Sequence, residues 1–176
     1  MKSTTVVAAL VLCLVSLNAV RAEDAVPNGL KDAKVGDWAE YSMKGSAKGH
    51  DVEMTQKRTV TAKDEKSITV KTDISVMGHA VPGREITIPL DKPYNPGVND
   101  PDAKVEKVDE GDEKVTVSGK DYDAHWMHYK GTSKAGTPID GKVWMAKGIG
   151  LGGMVKMEGT SDRGAVTMQL TNFGSK

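Results

Sequence analysis

The residues best suited to chemistry form an alternating run of two carboxylates and an imidazole: Asp121, Asp123 and His125. Alternating residues of a β-strand project from one face, so these side chains could offer two oxygens and one nitrogen to a metal ion. A typical structural or catalytic metal site needs three or four converging ligands, and nothing else in the sequence points to this face. A solvated outer face is the favoured interpretation, and metal binding is kept as an alternative.

The sequence offers no recognisable catalytic machinery. The only cysteine, Cys13, lies in the N-terminal apolar run, and there is no Gly-x-Ser-x-Gly elbow. The carboxylate pairs at 64–65 and 109–110 fall in predicted turns, where we expect carboxylates of ordinary acidity. The glycines between 148 and 153 precede a predicted strand and not a helix, which indicates a bend and not a phosphate loop. We expect no catalysis and no cofactor.

The first 22 residues predict a secretory signal peptide. Lys2 precedes an apolar run over 6–17, and Val20 and Ala22 occupy the −3 and −1 positions before Glu23. The run has about 12 residues and is too short to span a bilayer, which takes roughly 20. We therefore expect export to the periplasm or the extracellular space, with no transmembrane segment after processing.

The charge of the processed chain argues against a nucleic-acid partner. Loss of Lys2 and Arg21 from the 24 basic residues leaves 22, against 24 acidic ones, with the two signs interspersed. Binding to phosphates needs a basic face. The processed chain also lacks cysteine, so an apolar core and not disulfides must hold the domain together.

Period-two alternation of apolar and polar residues recurs along the chain and predicts half-buried strands. The clearest case runs from Ile68 to Val76, where every second residue is apolar or Thr. Ten segments share the pattern: 38–43, 52–62, 68–76, 84–90, 103–108, 113–117, 120–129, 142–146, 153–159 and 165–173. We predict an all-β single domain of about 9–10 antiparallel strands in a strongly curved sheet, either a half-barrel or a barrel.

Turn chemistry divides the chain further. Residues 23–34 are predicted to be a flexible arm or one short helical turn, 35–176 the β domain, and the proline-rich stretch 91–102 a long connection. Asp140-Gly141 and Asp162-Arg163-Gly164 are predicted hairpin turns, and a further turn is predicted at 110–112.

The apolar residues suggest where a ligand would bind. All nine methionines except Met1 survive processing, beside a single phenylalanine. Flexible thioethers either line an adaptable pocket or pack a core poor in aromatic rings, and tryptophans either anchor a core or rim a cavity. Core packing is favoured for both. The candidate ligand-binding residues are Trp38, Met54, Trp126, Trp144, Met154 and Met168.

Two segments carry a resemblance to known proteins: KVGDWAEY at 34–41 and VWMAKGIGLGGMVKME at 143–158. They resemble uncharacterised exported bacterial proteins whose curved sheets are similar to the periplasmic lipoprotein-carrier and outer-membrane lipoprotein-receptor group. The resemblance implies an unclosed barrel with an apolar concave face that shelters acyl chains or another hydrophobic partner without catalysis. Carriers of that group close the cavity with helices, and this sequence predicts none long enough.

Three functions follow as hypotheses. The first is an exported, non-catalytic binding protein that holds a hydrophobic or lipid-like ligand, or a lipidated partner, on a concave sheet face. The second is a structural or interaction module of the cell envelope that works through a strand edge or flat face. The third is an exported metal-binding protein that uses Asp121, Asp123 and His125.

Overall fold

The computed structural model describes residues 28–47, 50–92, 94, 103–161 and 164–175. The predicted signal peptide, the first residues of the predicted arm and most of the 91–102 connection lie outside this described part. Across these ranges every regular element is a β-strand. No helix in them is long and apolar enough to cross a membrane.

The described residues form nine strands, and their number and type confirm the all-β prediction. In chain order they are β1 Trp38–Ala47, β2 His50–Lys63, β3 Ser67–Val76, β4 His79–Pro89, β5 Lys104–Val117, β6 Lys120–Thr132, β7 Pro138–Ala146, β8 Met154–Ser161 and β9 Gly164–Gly174.

All nine strands belong to one antiparallel sheet with the order β4-β3-β2-β1-β9-β8-β7-β6-β5. Two meanders, β1 to β4 and β5 to β9, therefore meet at the ladder between the first and last strands. Within the described residues β4 and β5 each pair with a single neighbour, so the sheet is open. Of the two predicted forms, half-barrel and closed barrel, the open one is correct.

One hydrogen bond shows how strongly the sheet curves. Ser118, at the tip of the β5–β6 hairpin, donates through Oγ to the carbonyl oxygen of Leu170 in β9 at 2.7 Å. β5 and β9 are four places apart in the sheet, which is about 19 Å if the sheet were flat. The hairpin must therefore bend back across the ends of the intervening strands.

The strand register defines two faces, because residues directly opposite each other on paired strands point to the same side. One row crosses seven strands; its members are Val76, Met54, Met43, Met168, Met157, Val143 and Met127, from β3 to β6. We call this side the methionine face. The row on the other side consists of Thr55, Ser42, Gln169, Lys156, Trp144, Trp126 and Gly111, and we call it the tryptophan face.

The core lies mainly on the methionine face in the first half of the sheet. Its buried side chains there include Tyr41, Val60, Ile68 and Val70. In the second half both faces contribute, because Trp144 is buried on the tryptophan face and Val143 on the methionine face.

Residues 28–34, the described part of the predicted arm, form two turns packed onto the sheet. Leu30 is completely buried, and the side-chain amide of Asn28 donates to the carbonyl oxygens of Pro89 and Lys92 at 3.1 and 2.9 Å. The ammonium of Lys63 in β2 donates to the carbonyl oxygen of Ala33 at 2.7 Å. These bonds tie the segment to the sheet and to the end of β4.

Two predicted turns are wrong. Gly111 lies inside β5 and Asp140-Gly141 lies inside β7. A Cβ on Gly111 would lie 3.0 Å from the ring of Trp126, so this glycine makes room for a ring from the next strand. β8 and β9 form an antiparallel pair that extends to Ser161 opposite Gly164, and residues 162–163 of the third predicted turn lie outside the described residues.

Candidate functional site

The three predicted metal ligands lie on one face of β6, but His125 is engaged elsewhere. Its Nδ1 lies 2.9 Å from Asp112 Oδ1 and its Nε2 lies 3.1 Å from Glu110 Oε2, both on neighbouring β5. Asp121 accepts a hydrogen bond from the Thr116 hydroxyl at 2.7 Å. Across the described residues no three His, Cys, Asp or Glu side chains are grouped so that they could hold a metal ion.

The His125 group is a charged network at the sheet edge. The hydrogen bond to Asp112 and then the one to Glu110 raise the pKa of His125. Because carboxylates only accept hydrogen bonds, contact with both favours the imidazolium with both ring nitrogens protonated. Lys107 and His125 together lower the pKa of Glu110. The geometry is that of a screened surface ion-pair cluster.

The predicted ligand-binding tryptophans lie on the opposite face from the predicted methionines. Trp126 and Trp144 are cross-strand partners, with the Lys142 ammonium 3.9 and 4.6 Å from their ring centroids. Glu113 accepts hydrogen bonds from the Trp144 indole N–H and from Lys142, and these bonds lower its pKa. The two rings are thus covered by charged groups in cation–π contacts.

Trp38 repeats the arrangement at the other side of the same face. Its ring lies over Gly174 of β9, where a Cβ would come within 3.0 Å of the ring. The Lys57 ammonium lies 4.4 Å from the ring centroid. The three tryptophans therefore lie on one face, each with a lysine ammonium close to its ring.

A partly exposed apolar area occupies the methionine face near β4. We call it the methionine patch, and its members are Met43, Met54, Ile74, Val76 and Val81. The first four are half-buried, and Val81 on the edge strand is 43% exposed. Met154 and Met168, at 1% and 3% exposed, belong to the core. Of the predicted methionines, only Met54 lies in this patch.

A buried polar group borders the patch on the same face. Gln56 and Arg58 follow Met54 along β2, and Thr72 lies opposite Arg58 on β3. The three side chains are 7%, 3% and 5% exposed.

The guanidinium of Arg58 is only partly satisfied. Its Nη2 donates to the Tyr94 hydroxyl at 2.7 Å, while its Nε has no hydrogen-bond partner among the described residues. Nearby, the Tyr41 hydroxyl donates to the carbonyl oxygen of Met154 at 3.4 Å, and burial raises the pKa of Tyr41. Among the described residues the charge partners of Arg58 are these two tyrosines, and none is a carboxylate.

Reasoning from the sequence did not identify Arg58 or Tyr94. The available signal was parity, because Arg58 stands between Met54 and Val60 on the buried side of β2. A charged residue at a core position requires a partner or a function. Tyr94 gave no local signal, since it belongs to the connection and reaches Arg58 only through the tertiary fold.

No protein-family model and no curated protein matches the chain. Among solved structures, it is similar to a candidate exported protein with a YmcC-like fold from Bacteroides fragilis, at 12% identity and TM-score 0.49, covering 85% of this chain and 98% of that one. It is also similar to a candidate lipoprotein from Parabacteroides distasonis, at 12% identity and TM-score 0.46, covering 80% and 96%. A DUF1329 family protein from Desulfovibrio piger matches at 12% identity and TM-score 0.31, covering 82% and 87%.

Proposed function

We propose that this protein is an exported, non-catalytic binding protein that holds a hydrophobic ligand, or the acyl chain of a lipidated partner, on the methionine face. The observation that carries the proposal is the methionine patch, in which four apolar side chains are half-buried and Val81 is 43% exposed. Contiguous apolar area of this kind marks a binding surface more often than a bare solvent face.

The make-up of the patch suits a variable apolar ligand. Met43 and Met54 are cross-strand partners, and their flexible thioethers can adjust to ligands of different shape. The β-branched side chains of Ile74, Val76 and Val81, on β3 and β4, are stiffer and lie beside them. The patch thus combines adaptable and fixed contacts.

The polar groups beside the patch favour binding over reaction. Gln56 and Arg58 provide hydrogen-bond donors and a permanent charge, but neither is a nucleophile or a general base at neutral pH. The predicted signal peptide, residues 1–22, supports export to the periplasm or the extracellular space.

The test is to express the full chain, purify the product without detergent, and analyse it by native mass spectrometry and solvent extraction. We expect a bound lipid-like molecule, or uptake of a fluorescent acyl probe by the stripped protein. Met54→Asp should abolish binding, because it places a charge in the patch.

Thr55→Asp is the matched control. Thr55 is the next residue of β2 and projects from the tryptophan face, where it is exposed. The same charge there should leave probe uptake unchanged. Wild-type protein that is empty and takes up no probe would refute the proposal, as would equal loss of uptake in both variants with intact folds.

A second candidate function is attachment of a partner strand at a sheet edge. The observation in its favour is β4, which is exposed over most of its length and pairs only with β3 within the described residues. Open edges offer unpaired backbone groups to another strand. Sedimentation velocity over a range of concentrations should then show assembly, and a monomer at all concentrations would count against self-association at this edge.

A further inference from the structure

We infer that Arg58 forms an anion seat at one end of the methionine patch, and that the ligand is an anionic amphiphile with a carboxylate or phosphate head and an acyl tail. This inference rests on the proposed function and specifies its ligand. The tail lies on the methionine patch and the head pairs with the guanidinium.

Arg58 carries a buried charge that no described carboxylate compensates. Arg58 is 3% exposed and has no carboxylate partner among the described residues. Arginine keeps its charge in proteins, and removing an unpaired charge from water is costly. An anion arriving with the ligand would supply the missing counter-charge.

The Arg58 guanidinium also has unused hydrogen-bond donors. A guanidinium has five N–H donors, and one of those on Arg58 reaches Tyr94, whereas Nε has no hydrogen-bond partner in the described part of the chain. The Tyr94 hydroxyl accepts from Arg58, so its own proton can be donated onward. Arginine and tyrosine donors together match the two or three oxygens of a carboxylate or phosphate.

Arg58 lies on the same strand and the same face as Met54 of the methionine patch. Met54, Gln56 and Arg58 follow one another on the same face of β2, and four residues of strand span about 13 Å. An extended acyl chain can therefore run along the patch while its head reaches Arg58. Arg84, opposite Thr72 on the edge strand, adds a second cation to this end of the face.

The experiment measures binding of four single-chain probes to stripped wild-type protein by isothermal titration calorimetry below their micelle concentrations. The probes are dodecanoate, dodecyl phosphate, dodecanol and dodecyltrimethylammonium, which share one tail and differ in the head. We expect the two anions to bind at least about tenfold more tightly than the alcohol, because hydrogen bonds to charged groups are the stronger ones. The cation should bind most weakly.

Arg58→Met tests the residue itself. It replaces the guanidinium by an apolar side chain and should reduce the affinity for both anions to that for dodecanol, without weakening dodecanol. Lys57→Met is the control, since Lys57 is the next residue of β2, on the opposite face. It removes the same charge and should leave all four affinities within about twofold. If Arg58→Met fails to fold, Arg58→Lys can replace it. This substitution keeps the positive charge but removes the forked N–H donors of the guanidinium, and it should lower the affinity for both anions several-fold.

The outcomes separate the two proposals. Equal binding of dodecanoate and dodecanol overturns the anion seat and leaves a hydrophobic binding protein. No binding by any probe overturns the proposed function and the anion seat together. Tighter binding of dodecyl phosphate than of dodecanoate points to a phospholipid source, and the reverse order points to free fatty acids.

Discussion

At the scale of single residues, charge at an unusual position is more informative here than a cluster of chemical groups. Asp121, Asp123 and His125 alternate as a metal site requires, yet cross-strand partners on β5 engage the imidazole. Arg58 looks ordinary in the sequence, yet it is buried beside the methionine patch. Strand register, which no single segment specifies, places the partners of His125 on β5. The parity of Arg58 along β2 signals its burial only once the buried side of that strand is known.

The His125 network predicts pH-dependent stability. Because the folded pKa of His125 is raised, its stabilising effect is complete below the unfolded value of about 6.5 and is lost as pH rises through the folded pKa. His125→Gln should therefore be less stable than wild type at pH 5.5 and equally stable at pH 9. The difference should stay below about 1 kcal/mol, because the site is exposed and screened.

Urea unfolding at several pH values checks this prediction. His79→Gln is the control, since His79 is an exposed histidine at the start of β4. Its stability should run parallel to that of wild type across the pH range. A His125→Gln variant that also runs parallel to wild type would show that the network contributes nothing.

At the scale of elements, two hairpins use a turn that demands positive φ at both central residues. They are Met77-Gly78, at φ 49° and 83°, and Ser118-Gly119, at φ 50° and 77°. These values are typical of type I′ turns, whose twist matches that of paired strands. Methionine is poorly suited to this conformation, whereas asparagine tolerates it.

Met77→Asn should therefore stabilise the protein by about 1 kcal/mol. Met77 is 76% exposed, so little packing is lost. Ser118→Asn relieves the same backbone cost but removes the hydroxyl that donates to Leu170, so its gain should be smaller. Urea unfolding midpoints compare the two variants, and a lower midpoint for Met77→Asn would contradict the assignment.

The tryptophan that stacks on Gly111 gives a second prediction for an element. Gly111→Ala forces the Trp126 ring to shift, because the added Cβ would lie 3.0 Å from it. We expect a loss of at least about 1 kcal/mol and a changed tryptophan emission spectrum.

Gly159→Ala is the control for this substitution. Its Cβ would meet the nearest atom at 3.6 Å, an ordinary contact, so stability should stay level or rise. If the two alanine substitutions destabilise the protein equally, the loss of stability comes from replacing any strand glycine and not from a clash with the Trp126 ring.

These elements also show how far the sequence could predict the fold. Alternation predicted ten segments where the described residues form nine strands, because the predicted segments 103–108 and 113–117 both lie in β5. The pattern locates strands because the parity of a half-buried strand is visible in its own residues. Gly111 and Gly141 belong to predicted turns but lie inside strands, since a glycine that accommodates a neighbouring strand looks the same in the sequence as one that bends the chain. The split of Trp126 and Met54 between two faces depends on the register of several ladders, and no single segment specifies it.

At the scale of the whole molecule, one ladder joins the two meanders of the described sheet. β1 pairs with β9 over most of its length, and the neighbouring ladders lie within one meander or the other. Deletion of residues 164–176 should therefore abolish the single cooperative unfolding transition. Circular dichroism during heating checks this, with deletion of residues 175–176 as the control, because β9 ends at Gly174. A truncated chain that still unfolds sharply would contradict the central role of β9.

The pairing of β1 with β9 also fixes when the sheet can be completed during synthesis. The last strand leaves the ribosome last, and until residue 174 has emerged β1 lacks its partner on that side. Folding is slow when such distant segments must meet. The complete nine-stranded sheet therefore forms only after nearly all of the described chain has been translated.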